Sequence, residues 1–130
     1  MSAVDEVKQL TESIMQAAAK GELVPFVNAL DEDLEVFDHL PFRFEDKQVF
    51  VTYLQTLGIG AESLSYNQHQ PSYRSVNEST VILNAYDHLI TAPKTGGFPK
   101  VQSGRATWVY AKKAKGWKIV SAHFSPLPRD

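Results

Sequence analysis

Apolar residues recur at Val4, Val7, Leu10, Ile14, Met15 and Ala18, with polar residues filling the opposite face. That spacing predicts an amphipathic helix. Ser2, followed by Asp5, suits its N-terminal cap, and Gly21 suits a left-handed stop after Lys20. A second, shorter helix is expected from Glu22 to about Leu30, with Pro25 tolerated in its first turn. Leu34-Glu-Val-Phe-Asp38 alternates as a short strand does, and His39-Leu-Pro-Phe-Arg-Phe reads as an irregular, aromatic-rich connection. A third helix is predicted from about Asp46 to Leu57, with Val49, Phe50, Tyr53, Leu54 and Leu57 on one side.

After Glu62 the period changes from helical to strand-like. Ser63 to Ser75 and Ser79 to Thr91 are predicted strands, Pro71 hinting at a bulge or an edge in the first. Ala92 to Pro99 is a loop by its Pro and Gly content. Val101 to Ser125 holds two long runs of strand formers around a Lys/Gly-rich turn, an antiparallel hairpin. Each helix has only one apolar stripe, so the helices must cover one face of a strongly curved antiparallel sheet. The expected fold is therefore α+β, with three N-terminal helices packed on that sheet.

At 130 residues, the chain is expected to form one domain, 1–130. It has no cysteine, which excludes a disulfide framework, a thiol nucleophile and a Cys-based zinc site. Thirteen basic against fifteen acidic residues leave a net charge of −2 and no broad positive field, so no nucleic-acid partner is expected. Lys112, Lys113, Lys115 and Lys118 form the basic cluster, read as a solvated hairpin tip. The first residues lack a secretory pattern and no apolar run approaches the ~20 residues of a membrane span, so a cytoplasmic protein with no membrane partner is expected. Four scattered His residues argue no metal site, and no phosphate loop, nucleophile elbow or dinucleotide fingerprint is present. No cofactor is expected.

The element order and the last strands resemble the nuclear transport factor 2-like superfamily, its SnoaL-like branch above all. The residues that carry this are Gly21-Glu-Leu with Phe26 and Leu30, Leu34 to Asp38, Phe44-Glu-Asp-Lys, Gly104-Arg-Ala-Thr-Trp-Val-Tyr, and Gly116 to Ser125. The ending Trp117, Val120, His123, Ser125 is also similar to that of the association domain of calcium/calmodulin-dependent kinase II. Two positions depart from the pattern: Asp46-Lys47 stands where Gly-Lys is frequent, and Ser121 where many relatives carry the first His of a His-x-His pair. The resemblance implies a cone of helices and curved sheet around a pocket, with the exposed sheet face pairing two chains. It also implies activities as different as those of ketosteroid isomerase, polyketide cyclases and association modules, so fold alone does not give function.

Neighbours two apart in a strand share a face. Gly104, Ala106, Trp108 and Tyr110 are expected inward, because the helices must meet the larger aromatic area, with Arg105, Thr107 and Val109 outward. The hairpin leaves His123 open. An even loop puts Ser121 and His123 beside Trp108; an odd one puts Val120, Ala122 and Phe124 there. Asp38 and His123 are the candidate bases, Asp38 because desolvation beside an apolar pocket would raise its pKa. Tyr86, or Tyr66, is the candidate oxyanion donor. Tyr86 and His88 must share a face that Asp87 does not. The ligand-binding candidates are His39, Tyr66, His88, Trp108, Tyr110 and Phe124, while His69 and Arg105 are expected outside. Three functions follow as expectations. The first is binding of a small, mostly apolar organic molecule in an internal pocket. The others are a cofactor-independent isomerase, dehydratase or cyclase, and a homo-oligomeric association module. A homodimer through the outer sheet face is expected with the first.

Overall fold

The structure, a computed structural model, describes residues 1–128. Helix α1 (Ala3–Ala18) opens with the Ser2 hydroxyl accepting from the Asp5 amide, and buries Val7, Thr11, Ile14 and Ala18. Gly21 ends the turn beyond it with φ +82°, and a Cβ there would collide with the Leu64 carbonyl, so the position needs glycine for both conformation and space. Helix α2 (Val24–Ala29) is shorter than the sequence pattern suggests, because the chain is already extended at Leu30. Strand β1 (Leu30–Phe37) therefore starts before the Asp31-Glu-Asp33 run, whose side chains sit outside while Leu34 and Val36 go to the core. The aromatic connection contains a two-residue strand, β2 (Arg43–Phe44). Helix α3 (Lys47–Ile59) is capped by the Asp46 carboxylate, which accepts from the Val49 amide at 2.9 Å. Of the apolar side expected for it, Phe50 is fully buried but Val49 is exposed.

The remaining strands are β3 (Ala61–Asn77), β4 (Thr80–Pro93), β5 (Lys100–Lys113) and β6 (Gly116–Pro126). The sheet runs β2-β1-β6-β5-β4-β3. It is mixed rather than wholly antiparallel: β1 runs parallel to β6, since the chain returns to that edge through α3 and the long meander. Two helices precede the first strand and the third follows β2. Edge strand β3 breaks register between His69 and Ser72, around Pro71, where the missing N–H is harmless and Gln70 takes φ 52°. Such bulges bend a sheet, and α1 lies against β3 and β4 while α3 lies against β1 and β3. The core between them holds Trp108, Phe26 and Phe50 with the aliphatic residues of β1, β4 and α1. Among the described residues, no helix is long and apolar enough to cross a membrane.

Candidate functional site

The concave side of the sheet and the three helices leave a cavity of about 90 Å³. At ~10–15 Å³ per enclosed water that is room for roughly six to nine waters, comparable to a one-ring molecule. The helices supply apolar walls through Ile14, Phe26, Phe50 and Leu54. The sheet supplies Trp108 and Phe124, whose rings meet edge-on at 6.4 Å, and Trp108 also lies 5.1 Å from Phe26. Polar lining comes from Asp38, His39, Tyr66, Asp87 and Gln102.

Asp87 and Tyr66 form the centre of this polar set. On β4 the alternation runs Val81, Leu83, Ala85 and Asp87 inward, so Asp87 is the one acid buried among the described residues, with 6 % of its surface exposed. The Tyr66 hydroxyl donates to Asp87 Oδ2 at 2.8 Å and accepts from Gln68 Nε2 at 3.2 Å. Room for the carboxylate comes from its cross-strand partner Gly104: a Cβ there would lie 3.0 Å from Asp87 Oδ1 and would also collide with the Ser125 carbonyl. Desolvation raises the Asp87 pKa above its ordinary value, opposed by the Tyr66 hydrogen bond. Burial next to this acid drives the Tyr66 phenol well above its usual range, so it stays protonated and can act as a donor. The buried indole N–H of Trp108 has no partner among the described residues.

Five of the candidate residues lie at the cavity: Asp38 and His39, which follow β1, with Tyr66, Trp108 and Phe124. The Asp38 carboxylate accepts from the His39 amide at 2.7 Å, the local bonding common for an Asp at a strand end. Four candidates lie elsewhere, and their expected roles need correction. Tyr86 is on the outer face, 44 % exposed, because the β4 alternation that takes Asp87 in turns Tyr86 out. His88 shares that face and bonds Ser103 Oγ through Nδ1 at 2.8 Å. Tyr110 is inward and fully buried, but it lies outside the cavity lining, its hydroxyl 2.7 Å from Thr11 Oγ1 of α1. His123 is exposed on the outer face, beside the Phe37 ring.

The position of His123 turns on one residue. The hairpin loop is even, Lys113 pairing with Gly116, which by itself would place His123 beside Trp108. Val109 then pairs with Ser121 although Tyr110 pairs with Ile119, so Val120 bulges and reverses the phase. Ala122 comes opposite Trp108, and Phe124 rather than His123 reaches the cavity. The residue that sequence reasoning missed is Asp87. Its signal was present, an acid at an inward phase among Val81, Leu83 and Ala85, but the pattern did not say which β4 face was inner.

The match that places the chain spans residues 7–129, nearly its whole length, with the profile of the SnoaL-like domain. The chain belongs to the SnoaL-like domain family. No curated protein matches it in sequence. Solved structures of similar shape come from the nuclear transport factor 2-like superfamily. A member of that superfamily from Salmonella enterica has TM-score 0.79 and 16% identity, over 98% of this chain and 92% of its own. A protein from Novosphingobium aromaticivorans provisionally named a scytalone dehydratase has TM-score 0.80 and 13% identity, over 95% and 83%. One from Xanthomonas campestris, provisionally named a calcium/calmodulin-dependent protein kinase II association domain, has TM-score 0.78 and 17% identity, over 96% and 88%. At these identities the likeness is one of fold.

Proposed function

We propose that the protein binds a small, mostly apolar organic molecule in the cavity beside Trp108. The observation that carries this is the composition of the walls: aliphatic and aromatic side chains enclose one buried hydrogen-bonded pair, Tyr66 and Asp87. Such a combination is how small-molecule sites obtain both affinity and orientation. Trp108, a lining residue, also has a buried N–H with no partner among the described residues. The test is a thermal-shift series with one-ring compounds, benzyl alcohol and cyclohexanone among them, followed by a crystal soak. Ligand at 100 times its dissociation constant should stabilise the fold by about 2.7 kcal/mol. The reading is wrong if no such compound raises the melting temperature, or if those that do are found away from Trp108.

An acid–base enzyme is a second reading, favoured by a carboxylate 2.8 Å from a tyrosine hydroxyl at a cavity. Asp87 would be the base in place of the outward His123, with Asp38 also in the lining, and Tyr66 would turn its one proton from Asp87 Oδ2 to a developing oxyanion. Deuterium uptake at the α-carbon of cyclohexanone in heavy water, lost in Asp87→Asn, is the expected result; no uptake above buffer removes this reading. A homodimer through the outer sheet face belongs to the same proposal, since Phe37, Tyr86 and Val101 are exposed there. Sedimentation equilibrium that finds only monomer at micromolar concentration removes the dimer and leaves the cavity untouched.

A further inference from the structure

We propose that the ligand of the cavity is a small amine, its ammonium group seated on Asp87 and its carbon skeleton against the aromatic walls, which deepens the binding reading above and rests on it. The first ground is the charge of the lining. Its titratable side chains are two carboxylates, one imidazole and one phenol, and it contains neither lysine nor arginine. From α1, α2 and α3 only apolar side chains face Asp87's end of the cavity; β3 contributes Tyr66, the segment after β1 contributes Asp38 and His39, and His88 points to the other side of the sheet. A ligand carrying a carboxylate would meet two like charges and no fixed cation.

The second ground is how Asp87 is held. It is nearly inaccessible, it takes part in no ion pair among the described residues, and the one side-chain donor it has there is the neutral Tyr66 hydroxyl. A carboxylate with four lone-pair sites and one neutral donor is under-compensated in an apolar interior. The raised pKa is the result of that deficit. An alcohol would contribute one more neutral hydrogen bond. An ammonium contributes the missing charge and three donors, in surroundings where screening is weak. The walls suit the carbon skeleton of such a ligand, since Phe26, Trp108 and Phe124 are among the lining residues. A third observation, independent of charge, is that the buried N–H of Trp108, a lining residue, has no partner among the described residues.

The experiment uses three probes with one ring and different polar ends: benzylamine, benzyl alcohol and benzoate. Affinities for the full chain are measured at pH 7.5 by calorimetry or by ligand-detected NMR. Benzylamine should bind about tenfold or more tightly than benzyl alcohol, and benzoate should not bind. Asp87→Asn, nearly isosteric and checked for folding by its melting curve, should remove the preference for the amine while keeping benzyl alcohol. Lowering the pH until Asp87 protonates should weaken the amine and not the alcohol. Equal affinity for amine and alcohol, measurable binding of benzoate, or an amine preference that survives Asp87→Asn but is lost in Asp38→Asn would overturn the assignment. Absence of binding by all three overturns the binding reading itself, and the amine with it; binding of the alcohol alone overturns only the amine.

Discussion

Trp108→Ala should lower stability by about 3–5 kcal/mol, the usual range for removing a buried aromatic, which at this chain length means a fall of about 10–20 °C in melting temperature. Trp108 has no exposed surface and lies within ring-contact distance of Phe26, Tyr110 and Phe124, so its removal leaves α2 and β6 without their common partner on β5. Helix α2 has only six residues and no side-chain cap, and holds the sheet through Phe26. It cannot follow the missing indole inward without giving up the Phe26–Phe50 contact. The void would therefore stay largely open and merge with the existing cavity. Chemical denaturation checks the loss, and a change below about 1 kcal/mol would mean that the site collapses freely and that the indole is not the keystone of the α-layer.

Asp87→Asn should act in the opposite direction. At neutral pH the variant should be the more stable by about 0.5–2 kcal/mol, the range common for single stabilising substitutions in natural proteins. The sign follows from linkage. Burial raises the folded-state pKa of Asp87 above its unfolded value, so between the two the folded protein holds a proton that the unfolded chain has released. The contribution of this group to stability is therefore full below the unfolded pKa, declines as the pH rises toward the folded pKa, and stays low beyond it. Asparagine retains an oxygen to accept from Tyr66 and has no charge to desolvate. The difference between variant and wild type should open as the pH rises from about 3 and reach its limit above the raised folded-state pKa. Melting curves over that range measure it. A variant less stable than wild type at pH 7 would show that the ionised carboxylate is well compensated after all, and would also weaken the case for an ammonium ligand.

The two effects describe a division of labour in one cavity. Trp108 makes the wall and the stability together, whereas Asp87 is held in the interior against a desolvation penalty. A group retained under those terms is a functional candidate on physical grounds. Gly104 belongs to the same device, because only a residue without a Cβ lets β5 pass both the Asp87 carboxylate and the Ser125 carbonyl. The sequence resemblance already drew Gly104 into the last-strand motif, but its purpose becomes visible only beside its cross-strand partner.

What the sequence by itself determined is whatever depends on neighbours along the chain. The periodicity of Val7, Ile14 and Ala18, the cap at Ser2, the stop at Gly21 and the break at Pro71 are all local, and each appears in the structure where the pattern places it. The inward set of β5 was legible too, because Trp108 and Tyr110 are too large to leave outside a sheet of this size. Tertiary structure alone decided which side of β4 is the inner one, and so chose Asp87 over Tyr86 and His88. It also decided the phase of β6, where the parallel seam with β1 and the bulge at Val120 turn His123 outward. In both strands the side-chain period is two, so the facing of every residue rests on phase: in β4 on which face meets the helices, in β6 on one bulged residue in its pairing with β5. Local propensity carries no information about that choice, and the candidate site depends on it entirely.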